Sequence, residues 1–224
     1  MKTRIIAVAN QKGGVGKTTL TMTLAGTLGE WGQRVLVIDA DAQGTATRWA
    51  ADSAPDLLTM RVVSMGDAGE RLHEQIRPHI PGHDWIVIDC PPSVESRAAQ
   101  SALLIADLVI VPVIPSPADL WATQYMKALI QEASKVNPDL KSVLVANMLP
   151  HTTLGREALA ALADLGLPVA TSTLGLRTAY RESAVESVPV QRLGSRAAAA
   201  IEEAEALTKE VLEILGGGHG QRKT

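Results

Sequence analysis

Seven short apolar runs punctuate the chain: Ile5–Ala9, Val35–Ile38, Met60–Val63, Trp85–Ile88, Leu108–Val113, Val143–Ala146 and Val169–Ser172. Several are unbroken Val/Ile/Leu stretches, the pattern of strands buried on both faces. Between them lie longer segments that read as helices: Lys17–Glu30, Ala68–Arg77, Val94–Ala106, Ala118–Lys135, Leu154–Asp164, Ala179–Glu186 and Ser195–Leu215. This alternation predicts an α/β fold, a mostly parallel central sheet with helices on both faces and right-handed crossovers. No stretch of 18 residues is apolar and free of charge, so no transmembrane helix is expected. Met1-Lys2-Thr3-Arg4 precedes only five apolar residues before Asn10, too few for a secretory signal, so a cytoplasmic location is expected.

Composition narrows the picture. The 224 residues leave room for one large domain or two small ones. No Pro/Gly/Ser-rich linker divides them, so one domain over residues 1–215 is expected, with a glycine-rich tail at 216–224 that has nothing to bury and is expected to be disordered. Phenylalanine is absent and aromatic residues make up 3%, so the core must be aliphatic. The single cysteine, Cys90, excludes a disulfide framework and a multi-cysteine metal site within one chain, and reads as a packing residue. A net charge of −3 argues against nonspecific nucleic-acid binding by the chain as a whole, while a local basic face stays open.

The chemistry concentrates in Gly13-Gly14-Val15-Gly16-Lys17-Thr18-Thr19, directly after the first apolar run and before a helical pattern. Glycines let backbone N–H groups curl around phosphates, and the following helix aims its positive end at the anion. Lys17 suits the β- and γ-phosphates of a nucleotide and Thr18 its Mg²⁺. The loop departs from the plain phosphate-loop spacing, because Lys12 stands where that pattern has its first glycine.

Lys12-Gly13-Gly14-Val15-Gly16-Lys17-Thr18 resembles the deviant P-loop, K-G-G-x-G-K-[ST], of the ParA/MinD family of ATPases. The resemblance implies the P-loop NTPase fold, ATP and Mg²⁺ as ligands, and a nucleotide-sandwich homodimer in which Lys12 reaches the partner's ATP. Asp39-Ala40-Asp41-Ala42-Gln43-Gly44 is similar to the family's D-x-D-P-Q-G segment, with Ala42 in place of the usual proline. By that likeness Asp41 orients the attacking water near Mg²⁺, whereas Asp39 reads as structural. Trp85-Ile86-Val87-Ile88-Asp89-Cys90-Pro91-Pro92 resembles the Walker B segment, with Asp89 toward the Mg²⁺ shell. Asn147 ends the apolar run Leu144-Val145-Ala146. In the family such an asparagine reads the adenine edge, and a turn-forming role is the competing reading. Val111–Leu120 resembles the proline-rich loop of small partition ATPases, which lies near their dimer interface.

The branches of the family differ in what is attached. One cysteine cannot supply a shared iron–sulfur cluster. The last helical segment carries Glu202, Glu203, Glu205, Glu210 and Glu213 against Arg196 and Lys209, which disfavours an anionic membrane surface. The P-loop begins within the first dozen residues, so no operator-reading module is expected before it. The likeness that remains is to short ParA proteins, which bind nucleoid DNA without sequence preference and release it when a ParB-like or other cargo adaptor triggers hydrolysis. Arg177, Arg181, Arg192 and Arg196 are the candidate DNA contacts, with Lys209 beside them; a surface of mixed charge is the competing reading. A MinD-like membrane-surface regulator and a ligase similar to dethiobiotin synthetase are the alternatives.

Overall fold

The computed structural model describes residues 2–54, 56–93, 96–114, 117–150, 159–160 and 162–216. Within them the strands β1 (Arg4–Val8), β2 (Val35–Asp39), β3 (Arg61–Ser64), β4 (Trp85–Asp89), β5 (Leu108–Val113) and β6 (Lys141–Ala146) form one sheet in the order β3-β2-β4-β1-β5-β6. Every pairing is parallel. Parallel neighbours need crossovers, and the helices supply them: α1 (Lys17–Glu30), α2 (Thr45–Asp52), α3 (Leu72–Ile76), α4 (Arg97–Leu103), α5 (Pro117–Val136), α6 (Thr178–Val185) and α7 (Ala198–Ile214).

The two-residue period of a strand divides its apolar side chains between two cores. Ile6 and Val8 of β1 join a layer with α1 and α7 through Leu20, Leu24, Leu28, Leu207 and Val211. Ile5 and Ala7 of the same strand join the opposite layer with α3, α4 and α5 through Leu72, Ile76, Leu103, Met126 and Ile130. Helix α1 lies between the sheet and α7, and is buried almost continuously from Leu20 to Leu28. Strand β1 sits between β4 and β5, with β2 and β3 on one side and β6 on the other. The crevice beyond its C-terminal end is where open α/β sheets bind ligands.

Several sequence expectations need correction. Val169–Ser172 is no strand: it makes a single bridge, Leu144 to Val169, flanked by Leu144 N–H to Pro168 O (2.7 Å) and Ala170 N–H to Leu144 O (2.8 Å). The N–H groups of Thr171 and Ser172 go instead to the Glu210 carboxylate, both at 2.7 Å, so no ladder can continue. Ala68–Arg77 breaks into a 3₁₀ turn at Gly69–Arg71, the short α3, and a 3₁₀ stretch at Arg77–Gly82 that contains two prolines. The last helix starts at Ala198 rather than Ser195, because Gly194 takes a non-helical conformation (φ 70°, ψ −153°) inside the 3₁₀ stretch Val190–Ala197. The apolar pattern does not announce helix α2, which is eight residues long and buries only Ala46 and Trp49. Most of Leu154–Asp164, the start of Val94–Ala106 and the tail from 217 onward lie outside the described residues.

Candidate nucleotide site

The phosphate loop leaves the buried end of β1 and enters α1 through Gly16, whose φ of 85° is left-handed. Two asparagines hold the loop to the sheet. Asn10 Nδ2 donates to Pro112 O at the end of β5 (2.7 Å), while its Oδ1 accepts from Lys12 N–H (3.0 Å). Asn147, just past β6, donates from Nδ2 to Val15 O (2.7 Å) and accepts at Oδ1 from Met148 N–H (3.0 Å). A Cβ on Gly16 would run into the Asn147 amide, so the glycine is required by space as well as by φ. Asn10 escaped the sequence reading, although an apolar strand ending in asparagine beside the loop is the same signal that singled out Asn147.

Lys17 is only 7% exposed. Its ammonium donates to Lys12 O (3.1 Å), so the loop's own backbone holds the charge at the loop. Burial pulls its pKa below the ordinary lysine value, and Asp89 and Asp41 work against that shift. Both carboxylates therefore act electrostatically on the same ammonium. Thr18 Oγ1 donates to Asp89 Oδ2 (2.7 Å). Val15 is buried, Thr19 half-buried, and Gly13 and Gly14 face solvent.

Asp89 is 1% exposed, and its Oδ1 has no hydrogen-bond partner. Burial pushes its pKa up to about 7 against the Thr18 hydrogen bond, and the charge of Asp39, its register neighbour on β2, adds to the rise. A buried carboxylate oxygen left unpaired is costly. Beside a threonine hydroxyl and an anion-binding loop, it fits the water shell of Mg²⁺, a cation that keeps several waters and takes few protein ligands. The described residues hold no cluster of three or more His, Cys, Asp or Glu side chains able to form a protein cage for a metal.

The two aspartates at the end of β2 behave differently. Asp39 is fully buried, and its Oδ2 accepts from both Thr47 N–H and Thr47 Oγ1 at 2.8 Å. It anchors the start of α2 and so serves structure. Asp41 is half-buried, and its Oδ1 accepts from Gln43 N–H (2.9 Å). Cys90 is buried next to Asp89, with its thiol pushed well above the usual range by burial.

The four arginines do not form one free basic face. Arg177 is held by Glu203 of α7 (Nη2 to Oε1, 2.8 Å), Arg192 by Glu30 at the end of α1 (2.7 Å), and Arg196 by Glu182 of α6 and Glu186 just past it. Arg177 and Arg196 line the same cleft, about 290 Å³, between the starts of α6 and α7. Arg181 is exposed, and among the described residues it forms no ion pair. The acidic side chains of α7 have a local task that the sequence did not reveal. Glu203 accepts from Gly175 N–H, Arg177 Nε and Tyr180 Oη, and Glu210 accepts from two N–H groups of the 169–177 segment. Among the described residues no helix is long and apolar enough to cross a membrane.

A six-stranded parallel sheet with a glycine-rich loop between its central strand and a buried helix defines a P-loop nucleotide-binding protein. A family model described as an AAA domain matches residues 3–57 and 54–145. The maintenance of carboxysome distribution protein A of Halothiobacillus neapolitanus is 35% identical over 208 residues, which span 92% of this chain and 95% of that protein. The fold is shared with an aspartate-to-alanine variant of Cyanothece McdA in complex with ATP (TM-score 0.79, 18% identity, 97% of this chain and 98% of that one). It is shared also with Pyrococcus horikoshii MinD complexed with Mg-ADP (TM-score 0.71, 23% identity, 95% and 98%). The chain belongs to the ParA/MinD family of deviant Walker A ATPases.

Proposed function

We propose that the protein is a Mg²⁺-dependent ATPase that dimerises around ATP, binds duplex DNA without sequence preference and positions a protein assembly of the carboxysome kind on the nucleoid. An adaptor protein bound to the cargo stimulates hydrolysis. The observation that carries this reading is the 35% identity to a carboxysome distribution protein along nearly the full length of both chains.

The residues divide the work. The loop amides of Gly13 to Thr19 and the Lys17 ammonium bind the β- and γ-phosphates, and the α1 N-terminus adds its positive end. Asn147, bonded to the loop at Val15 O, reads the adenine edge. Thr18 and Asp89 would hold Mg²⁺, with Asp41 at its water shell. When bound, the cation neutralises charge on the phosphate oxygens of a reaction that depends chiefly on positioning and electrostatics. Asp41 orients the attacking water. Lys12 reaches across to the nucleotide of a second copy, which makes hydrolysis conditional on dimerisation. Arg177, Arg181, Arg192 and Arg196 contact DNA phosphates.

The test combines ATP turnover, a sizing column and a gel shift with random-sequence duplex DNA. The wild-type chain is expected to hydrolyse ATP slowly, to elute as a dimer with ATP and Mg²⁺, and to shift DNA only in that state. Lys12→Ala is expected to retain ATP binding and lose the dimer. A normal dimer with that variant, or equally tight DNA binding without nucleotide, would overturn the reading. ATP-dependent sedimentation with anionic liposomes in place of the DNA shift would favour the membrane-surface alternative.

A further inference from the structure

The loop that carries Asp41 has alanine at position 42, where the resembling motif has proline, so no ring stiffens it. Two other contacts hold it. Asp39, at its base, accepts from Asp41 N–H (Oδ1, 3.3 Å) and from Thr47 at the loop's far end. The second contact is the turn that follows β3. Met65 N–H donates to Asp39 O (2.8 Å), and Ala68 N–H closes the turn on Met65 O (3.0 Å). This brings the Gly66 backbone flat against the Asp41–Ala42 peptide. A Cβ at 66 would lie 2.8 Å from Ala42 Cα, 3.0 Å from Ala42 N and 3.0 Å from Asp41 O, all of them backbone atoms. Gly66 does not have a left-handed φ, so the requirement for glycine there comes from space alone.

We propose that Gly66 is a positioning residue for ATP hydrolysis: the Met65–Gly66 turn is the wall against which the Asp41–Ala42 peptide rests, and the absence of a side chain at 66 sets where the Asp41 carboxylate stands. The proposal rests on the reading of Asp41 as the residue that orients water. Ordinary contact begins near 3.4 Å, so a methyl group at 66 requires a retreat of at least 0.6 Å (3.4 − 2.8). The turn on the Gly66 side is tied to the sheet, because β2 and β3 pair in register as far as Asp39 and Ser64 and Met65 N–H donates to Asp39 O. The loop can retreat, because Ala42 and Gln43 are exposed. The substitution therefore leaves the fold and the phosphate loop in place and swings Asp41 outward. A displacement of about 1 Å at a reacting group can cost about 100-fold in rate.

The experiment measures kcat and the affinity for a fluorescent ATP analogue with Mg²⁺ in Gly66→Ala, Gly66→Val, Asp41→Ala and the double variant Gly66→Ala/Asp41→Ala. Gly82→Ala serves as the control, because a Cβ there meets open space. The expected result is a kcat about 10- to 100-fold lower in Gly66→Ala and lower again in Gly66→Val. Analogue affinity is expected to stay within about twofold, and Gly82→Ala to match wild type. The double variant should be no slower than Asp41→Ala, since both changes act through one carboxylate. Unchanged kcat in Gly66→Ala beside an impaired Asp41→Ala overturns the role of Gly66 alone. A wild-type rate in Asp41→Ala overturns the reading of Asp41, and the role of Gly66 with it. Loss of analogue affinity together with hydrolysis in Gly66→Ala shows a general structural role and also overturns the proposal.

Discussion

The phosphate end of the sheet and the arginine-lined cleft between α6 and α7 hold their charged groups by opposite means. At the phosphate end the charged groups are buried, and they answer to one another over short distances: Thr18 to Asp89, Lys17 to the Lys12 carbonyl, Asn10 and Asn147 to the loop backbone. The Oδ1 of Asp89 is left without a hydrogen-bond partner. At the cleft Arg196 is half exposed and already paired with glutamates of the same chain. Pairs of that kind contribute little to stability and exchange readily. The first region fixes its charged groups through buried contacts, whereas in the second Arg196 is neutralised by exposed pairs with glutamates of the same chain. Function at the phosphate end should therefore fail through single residues, and function at the cleft only through several together.

The largest effect should come from Lys17→Ala. Removing a buried cation that binds phosphate costs about 3 kcal/mol, roughly 100-fold or more in ATP affinity by titration. Asp41→Ala should bind ATP normally and lose about 100-fold or more in turnover, since a group that handles the attacking water contributes at least that factor. Asp89→Asn should abolish Mg²⁺-dependent turnover while raising the melting temperature of the nucleotide-free protein by several degrees, as it removes a buried unpaired charge.

The same carboxyl sets a pH dependence. Its folded pKa, pushed up to about 7, exceeds its ordinary value of 3.8. The stability it contributes is complete below about pH 4 and is lost as pH rises through about 7. Melting curves of the nucleotide-free wild type should fall between pH 5 and pH 8, and Asp89→Asn should remove that part of the fall. If three of the four candidate arginines engage DNA in each subunit of a dimer, the log–log salt slope for DNA binding should be about −5. Replacing Arg181 and Arg196 together should flatten it to about −2 without changing ATP turnover in the absence of adaptor. Smallest of all, Arg196→Ala should change stability by no more than about 0.5 kcal/mol. Arg177→Ala should cost about 1 kcal/mol, because its pair with Glu203 is only 29% and 17% exposed and pins the 175–177 segment. Equal melting temperatures for these two variants would erase the distinction between them.

The sequence by itself determined the α/β class, the six strands that formed and the start of α1 at Lys17, and it singled out Lys17, Thr18 and Asp89 as candidates, which the fold brings together. The reason is locality. Strands buried on both faces must be apolar throughout, and a phosphate loop needs glycines, lysine and hydroxyl within a few consecutive positions. Asp39 reads as structural, but the strand period is not the reason, because positions 39 and 41 would share a face; the two hydrogen bonds from Thr47 are what set Asp39 apart. What only the tertiary structure decided lies in contacts between distant segments. Glu203 and Glu210 are two of five glutamates on one acidic helix, and nothing local marks them as the acceptors that take the N–H groups of 171–175 and stop a seventh strand from forming. Asn10 and Asn147 are far apart in the sequence and meet at one loop because β1, β5 and β6 are neighbours. Gly66 looks like any turn glycine until the sheet order lays β3 beside β2 and presses its turn against Ala42. Backbone approach of this kind depends on register between strands, and register is set by the packing of the whole sheet rather than by any stretch of sequence.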